Sequence, residues 1–283
     1  MLRIAVQAKG RLNEESTALL KEIGIEIDDS KRKYISKASN FPVEMLYLRD
    51  DDIPGVVANG SADLGIVGLN EVVEKGYDVQ IVEKLGFGGC RLSLAIPKGD
   101  EYEGVSYFEG KKIATSYPAI LNKFLKDNNI NATVEVITGS VEIAPAACIA
   151  DAIFDIVSSG STLIANNLKE VEVVLESEAV LIGSGTLSPE SQAILDEIRF
   201  RMESARISRG KKYILMNIPE NAMDKAIEIL PAMRSPTIMP LAAKGWCSLH
   251  SVVDKENLWT KVHQLKEIGA EGILILNVEK IIL

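Results

Sequence analysis

At 283 residues the chain is longer than one ordinary domain, and its 47% hydrophobic and 25% charged content is that of a globular protein able to bury a sizeable core. A formal net charge of −9 argues against nucleic acid or an acidic membrane surface as a main partner, and leaves room for polyphosphates held by locally converging basic residues. Three cysteines, at positions 90, 148 and 247, have neither metal-ligand spacing nor the look of a disulfide framework, and no apolar run reaches transmembrane length, so a cytoplasmic, multi-domain α/β protein is expected.

Leu2 to Val6 reads as a strand, not as a secretory leader. A Lys9-Gly10-Arg11 turn follows, and Asn13 is placed to cap a helix over 14–23 with Leu19, Leu20 and Ile23 on its inner stripe. Residues 43–49 form a second strand. Asp50, Asp51 and Asp52 ahead of Pro54 signal a helix start, and 62–67 form another apolar strand that Gly68 ends. Strands alternating with helices in this way imply a largely parallel sheet.

A glycine cluster at 86–89, without dinucleotide-binding spacing, leads into a strand at 91–96 that crosses to a second lobe. Strands at 112–115, 134–138 and 152–157 continue the α/β rhythm there. Further strands at 171–175 and 179–182 include one that returns to the first lobe, and 190–208 reads as a linker helix. The remaining order, β-α-β-β-α-β, has strands at 213–218, 237–241, 247–253 and 272–278 and helices at 222–230 and 256–268. That is the ferredoxin-like pattern, of the ACT-like kind, often an effector-binding or dimerisation appendage. The expected domains are 1–90 with a returning segment 183–208, 91–182, and 209–283. The first two form a periplasmic-binding-protein-like pair of α/β lobes around a cleft, where ligands of such folds bind.

Residues 151–163 carry the chemistry. A strand with Ile153, Ile156 and Val157 runs into Ser158-Ser159-Gly160-Ser161-Thr162 and then a short helix. A strand–turn–helix junction aims free backbone N–H groups and the positive end of a helix dipole at one spot, which suits a phosphate, and the hydroxyls add donors. Asp151 and Asp155, four apart, are expected on one face of the strand, where carboxylates would accept hydrogen bonds from ribose hydroxyls. The bland alternative is a capped helix after an ordinary strand. Only His250 and His263 are available, both in the appended module, so a histidine-based triad is not expected, and the common zinc, thiol and P-loop motifs are missing. Lys9, Arg11, Arg49 and Arg91 fall at strand ends or turns, positions from which they could hold a polyphosphate and stabilise a departing anion.

An ordered set of motifs spans nearly the whole chain: KGRL at 9–12, RDDDIP at 49–54, DLGIVG at 63–68, FGGCRLSLA at 87–95, KKIATSYP at 111–118, GSVEIAP at 139–145, ADAIFDIVSSGSTLIANNL at 150–168, SPTIMPL at 235–241 and GAEGILILNVEK ending at Lys280. With these the chain resembles the long-form ATP phosphoribosyltransferases, first enzymes of histidine biosynthesis. The resemblance implies joining of ATP to 5-phosphoribosyl 1-pyrophosphate (PRPP) with release of pyrophosphate, Mg2+ accompanying the pyrophosphate, histidine acting as feedback inhibitor from the third domain, and a homo-oligomer between dimer and hexamer. It further implies that Ser158, Ser159, Gly160, Ser161 and Thr162 hold the 5-phosphate, that Asp155 meets the ribose hydroxyls with Asp151 structural, and that Lys9, Arg11, Arg49 and Arg91 line the nucleotide and pyrophosphate region. Tyr117 and Glu142 are lesser candidates there; Thr237 and Ala270 are the candidates for the histidine site. The family sometimes places the lysine of the first turn at Ala8 instead of Lys9, which leaves open the side chain that reaches the phosphates. No acid–base residue is nominated, because adenine N1 is already a nucleophile. Two other readings stay in view: a solute-binding or ligand-sensing two-lobed protein, and a regulatory subunit that has lost catalysis.

Overall fold

A computed structural model describes residues 1–27, 34–185, 187–230 and 235–283. The chain divides into two compact units, Met1–Leu195 and Asp196–Leu283. The first holds two sheets. One is six-stranded, built from β1 (Leu2–Gln7), β2 (Ile35–Lys37), β3 (Val43–Leu48), β4 (Leu64–Gly68), β5 (Gln80–Lys84) and β11 (Ala179–Gly183) in the order β2-β3-β1-β4-β11-β5. Its centre is parallel, β1 lying between β3 and β4, and β11 runs antiparallel beside β4. Around it stand α1 (Arg11–Glu22), α2 (Ile53–Ala58) and α3 (Leu69–Lys75). A Cβ on Gly65 of β4 would meet Ile53 Cγ2 at 2.6 Å and Val57 Cγ2 at 3.0 Å, so glycine is what lets α2 lie flat on the central strand. Ala5, Ile53, Val57, Val67, Val180 and Ile182 fill that contact.

The other sheet has five strands in the order β10-β6-β9-β7-β8, from β6 (Cys90–Pro97), β7 (Lys112–Thr115), β8 (Thr133–Val136), β9 (Ala152–Val157) and β10 (Leu168–Ser177), with α4 (Pro118–Asp127) and α5 (Ser161–Ala165). Both faces of β9 are covered: Phe154 packs with Leu92, Leu94 and Phe108, and Ile153 with Ala95, Ala114 and Val141. A strand covered on both faces is apolar without alternation, as Ala152 to Phe154 are. The chain crosses from the first sheet to the second before β6 and returns after β10. The two crossings bond to each other through Leu85 N–H to the Ala179 carbonyl and Ala179 N–H to the Phe87 carbonyl, both 2.9 Å.

Several local expectations shift. The first helix begins at Arg11, three residues before Glu14, because Gly10 adopts φ 94° and turns the chain straight into it. Asn13 does not cap; its amide donates to the Gln7 carbonyl at 2.6 Å. Asp50–Asp52 form a 3-10 turn ahead of α2, with Asp50 accepting from the Gln7 amide and the Asp51 N–H instead of capping the helix. β2 and β5 lie outside the strands expected from sequence, being short edge strands of mixed polarity. Asp151 lies just outside β9 and accepts the Lys112 N–H at 2.8 Å, so it serves the start of β7 and does not share a strand face with Asp155.

Helix α6 (Pro189–Ser208) contains the division between the two units at Leu195/Asp196, upstream of the 208/209 boundary expected from sequence. The second unit continues with β12 (Lys211–Pro219), α7 (Met223–Ile229), β13 (Thr237–Pro240), β14 (Trp246–Asp254), α8 (Leu258–Glu267) and β15 (Glu271–Asn277). Its antiparallel order β13-β14-β12-β15 is the ferredoxin-like arrangement, with Ile214, Met216, Ile218, Leu249 and Leu265 in one core. Among the described residues no helix is long and apolar enough to cross a membrane.

Candidate active site

The phosphate-binding candidate is built by the end of β9. After Val157 the chain leaves the sheet, and Gly160, at φ 78°, takes the left-handed conformation that a side chain would oppose. It stands as the N-cap of α5, with Ile164 N–H returning to its carbonyl at 3.2 Å. Ser158, Ser159, Ser161 and Thr162 are all exposed. The Ser159 and Ser161 hydroxyls lie 2.9 Å apart, so two donors converge beside the first-turn amides.

Asp155 sits on β9 opposite Ser93 of β6, only partly exposed. Burial pushes its carboxyl above the usual aspartate range and the Glu142 charge pushes the same way, while the Ile156 N–H, bonded to Oδ1 at 2.8 Å, pulls back. Burial and the Glu71 carboxylate raise the Tyr117 phenol far above normal, and the Asp155 and Asp50 charges add to the effect.

Tyr117 also joins the two lobes. Its hydroxyl donates to Glu71 Oε1 at 2.9 Å, and the Asn70 amide donates to both, at 3.0 Å to Glu71 and 3.3 Å to Tyr117. Asn70 in turn accepts from the Ser177 hydroxyl at 2.9 Å. Glu74, one turn along α3, accepts the N–H groups of Ala119 and Ile120 at 2.9 Å each and so caps α4 of the other lobe. Burial raises the Glu71 carboxyl, partly opposed by the Tyr117 bond. Asn70, Glu71, Glu74 and Ser177 were not singled out from sequence. Asn70 and Glu71 do follow directly on β4, at the carboxyl end of a parallel strand where α/β folds place their ligands, and that was the signal available.

The basic residues separate into two kinds. Lys9 is exposed. Arg11 is exposed and pairs with Glu15 one turn on, at 3.0 Å. Arg49 is 76% exposed, with Nε 3.2 Å from Asp51. Surface pairs of this sort are weak and exchange readily for a phosphate. Arg91 differs: Nε and Nη2 fork onto both oxygens of Glu170 at 2.5 Å, and Nη1 donates to the Ser158 carbonyl at 3.2 Å. It borders a pocket of about 380 Å³ at the crossing, together with Lys84, Glu176 and Glu178.

In the second unit, Thr237 is exposed on edge strand β13 and Ala270 is buried in the core just before β15 at the other edge, so within this chain the two do not meet. Ala270, a candidate for the histidine site on the resemblance, packs its methyl group among Ile218, Leu265 and their neighbours.

Compared with known proteins, residues 49–204 match the family described as HisG, ATP phosphoribosyltransferase, and residues 208–280 match the HisG C-terminal domain. The ATP phosphoribosyltransferase of Bacteroides fragilis is 59% identical over 283 residues, covering 100% of each chain. That of Cytophaga hutchinsonii is 53% identical over 282 residues, covering 100% of this chain and 99% of its own. A solved chain of the ATP phosphoribosyl transferase (HisG:HisZ) complex from Thermotoga maritima superposes with a TM-score of 0.62 at 25% identity, spanning 72% of this chain and 99% of that one.

Proposed function

The chain belongs to the ATP phosphoribosyltransferase family, and from that membership we propose a site in which the loop Ser158 to Thr162 seats the 5-phosphate of PRPP and Asp155 accepts the ribose hydroxyls. The observation that carries this reading is local: a left-handed glycine and four exposed hydroxyl side chains at a helix start, three residues beyond a half-buried carboxylate. Tyr117 and Glu142 are the proposed further contacts for ATP. Arg11, Arg49 and Lys9 supply mobile charge toward the pyrophosphate.

N1 of adenine attacks the anomeric carbon as the C–O bond to pyrophosphate breaks, giving N1-(5-phosphoribosyl)-ATP. Adenine N1 carries a free lone pair, so the chain need not remove a proton to start the reaction. Its work is to align two anionic substrates and to stabilise the departing charge. Asp155 fixes the ribose from one side and the loop fixes its phosphate, which leaves the anomeric carbon open to the adenine. Mg2+ is proposed to arrive on the pyrophosphate of PRPP, held mainly by substrate oxygens, where it would neutralise charge on the leaving group.

The ferredoxin-like unit is the proposed seat of histidine inhibition, with Thr237 as the exposed candidate contact, and the chain is proposed to act in the cytoplasm as a homo-oligomer between dimer and hexamer. The Thermotoga maritima relative was solved with HisZ; this chain carries a HisG C-terminal domain of its own and is proposed to need no separate subunit. A spectrophotometric assay with ATP, PRPP, Mg2+ and pyrophosphatase, with and without histidine, tests the reading. Phosphoribosyl-ATP formation suppressed by histidine is the expected result. A folded chain that binds both substrates and forms no product would favour a silent regulatory protein instead.

A further inference from the structure

Arg91 is the arginine that does not behave as a free phosphate ligand. Both oxygens of Glu170 take up its Nε and Nη2, and the Ser93 hydroxyl, 2.6 Å from Glu170 Oε1, fixes the carboxylate from the side. The pairing holds the Glu170 carboxyl below its ordinary range. The remaining arm of the guanidinium, Nη1, goes to the Ser158 carbonyl. The partners sit at telling places. Ser158 is the first residue after β9, where the chain leaves the sheet and enters the loop. Glu170 lies on β10, the strand that follows α5 after two residues. Arg91, on β6 between these two strands and opposite Val157, therefore ties the entry of the serine–glycine loop to the strand by which the chain leaves it. A planar guanidinium with a fixed fork can hold both ends at once, which an ammonium cannot.

We infer that Glu170 is a positioning residue for PRPP: by fixing Arg91 against the Ser158 carbonyl it sets the curvature of the loop, and Arg91 supports the loop instead of binding pyrophosphate. The inference rests on the loop being the phosphate site. It separates from direct phosphate binding by sign. If Arg91 bound pyrophosphate, removing Glu170 would release its guanidinium and hold or tighten the affinity for PRPP; if Arg91 supports the loop, removing Glu170 loosens it.

The test uses the full chain with Glu170→Ala, Glu170→Gln, Arg91→Ala, Arg91→Lys and the Glu170→Ala/Arg91→Ala pair. KM is measured for PRPP and for ATP, and ribose 5-phosphate binding is measured by calorimetry. The expected result is a rise of about tenfold in KM for PRPP in Glu170→Ala, with a matching loss of ribose 5-phosphate affinity and KM for ATP little changed. Glu170→Gln, which keeps the acceptor toward Ser93, should fall between this variant and the parent. Arg91→Lys should be as impaired as Arg91→Ala, and the pair no worse than either single variant, because all break one unit. Unfolded protein lowers the active fraction and not the KM for one substrate, so the split between the two KM values separates loop positioning from damage to the fold. Unchanged or tighter PRPP binding in Glu170→Ala, an equal rise in both KM values, recovery of activity in Arg91→Lys, or additive loss in the pair would each overturn the inference. A parent chain that binds no ribose 5-phosphate would instead overturn the assignment of the loop.

Discussion

In its proposed role Asp155 accepts ribose hydroxyls most strongly when ionised, yet burial, and after it the Glu142 charge, favours its proton. A carboxyl whose folded value is raised binds its proton more tightly folded than unfolded. Its contribution to stability is therefore fully present below the ordinary value near 3.8 and is lost as pH rises through the folded value. Asp155→Asn should flatten the pH dependence of stability over that window, read by urea unfolding at a series of pH values. The same variant should lower kcat/KM for PRPP by about thirtyfold or more, the worth of roughly 2 kcal/mol for a hydrogen bond to a charged acceptor. In the parent chain the acid limb of the kcat/KM profile should fall above the ordinary aspartate range. Gly160→Val tests the loop by a different route. A branched side chain opposes φ 78°, so PRPP affinity should drop sharply in calorimetry while ATP affinity holds. Asp155 and Gly160 were legible in the sequence because the strand, turn and helix that place them are contiguous. The commitment of Arg91 was not legible, since its partner Glu170 is 79 positions away and meets it only after β6 and β10 pair.

At the scale of elements, α3 and α4 tie one lobe to the other. Glu74 accepts two N–H groups at the start of α4, and Tyr117 at its N-cap reaches Glu71 on α3. Glu74→Ala should cost about 1 kcal/mol, the usual worth of a helix cap, measured as a lower urea midpoint at unchanged slope. Tyr117→Phe removes the bond to Glu71 and keeps the ring. KM for ATP should then change little if the ring faces adenine, while the lobes separate more readily, a difference visible in small-angle scattering without substrate. The long apolar strands were readable because both faces of β9 and the centre of the first sheet are buried. The edge strands β2 and β5 were not, because an edge needs no continuous apolar run. The start of α1 departs from the sequence expectation because a left-handed Gly10, and not a side-chain cap at Asn13, begins the helix.

Over the whole molecule, the order of elements was legible and the convergence of side chains was only partly so. The glycine cluster at 86–89 and the return at Glu178 mark the crossings on the page of the sequence. That they bond to each other through Leu85, Phe87 and Ala179 becomes visible only in the folded sheet pair. Within the ferredoxin-like unit the strand order fits the pattern read from sequence, yet Ala270 is buried because it stands where α8 meets the sheet core. Removal of residues 209–283 is expected to relieve the proposed inhibition by histidine while PRPP still binds, measured by ribose 5-phosphate calorimetry and by turnover with and without histidine.

The central claim is that PRPP is seated by the loop Ser158 to Thr162 next to Asp155. Hydrogen exchange of a peptide spanning 157–163, measured with PRPP, with ATP alone and without ligand, tests it most directly. The account predicts that exchange of these amides slows with PRPP and stays unchanged with ATP alone. Catalytically competent chain whose loop amides exchange equally in all three conditions would contradict it.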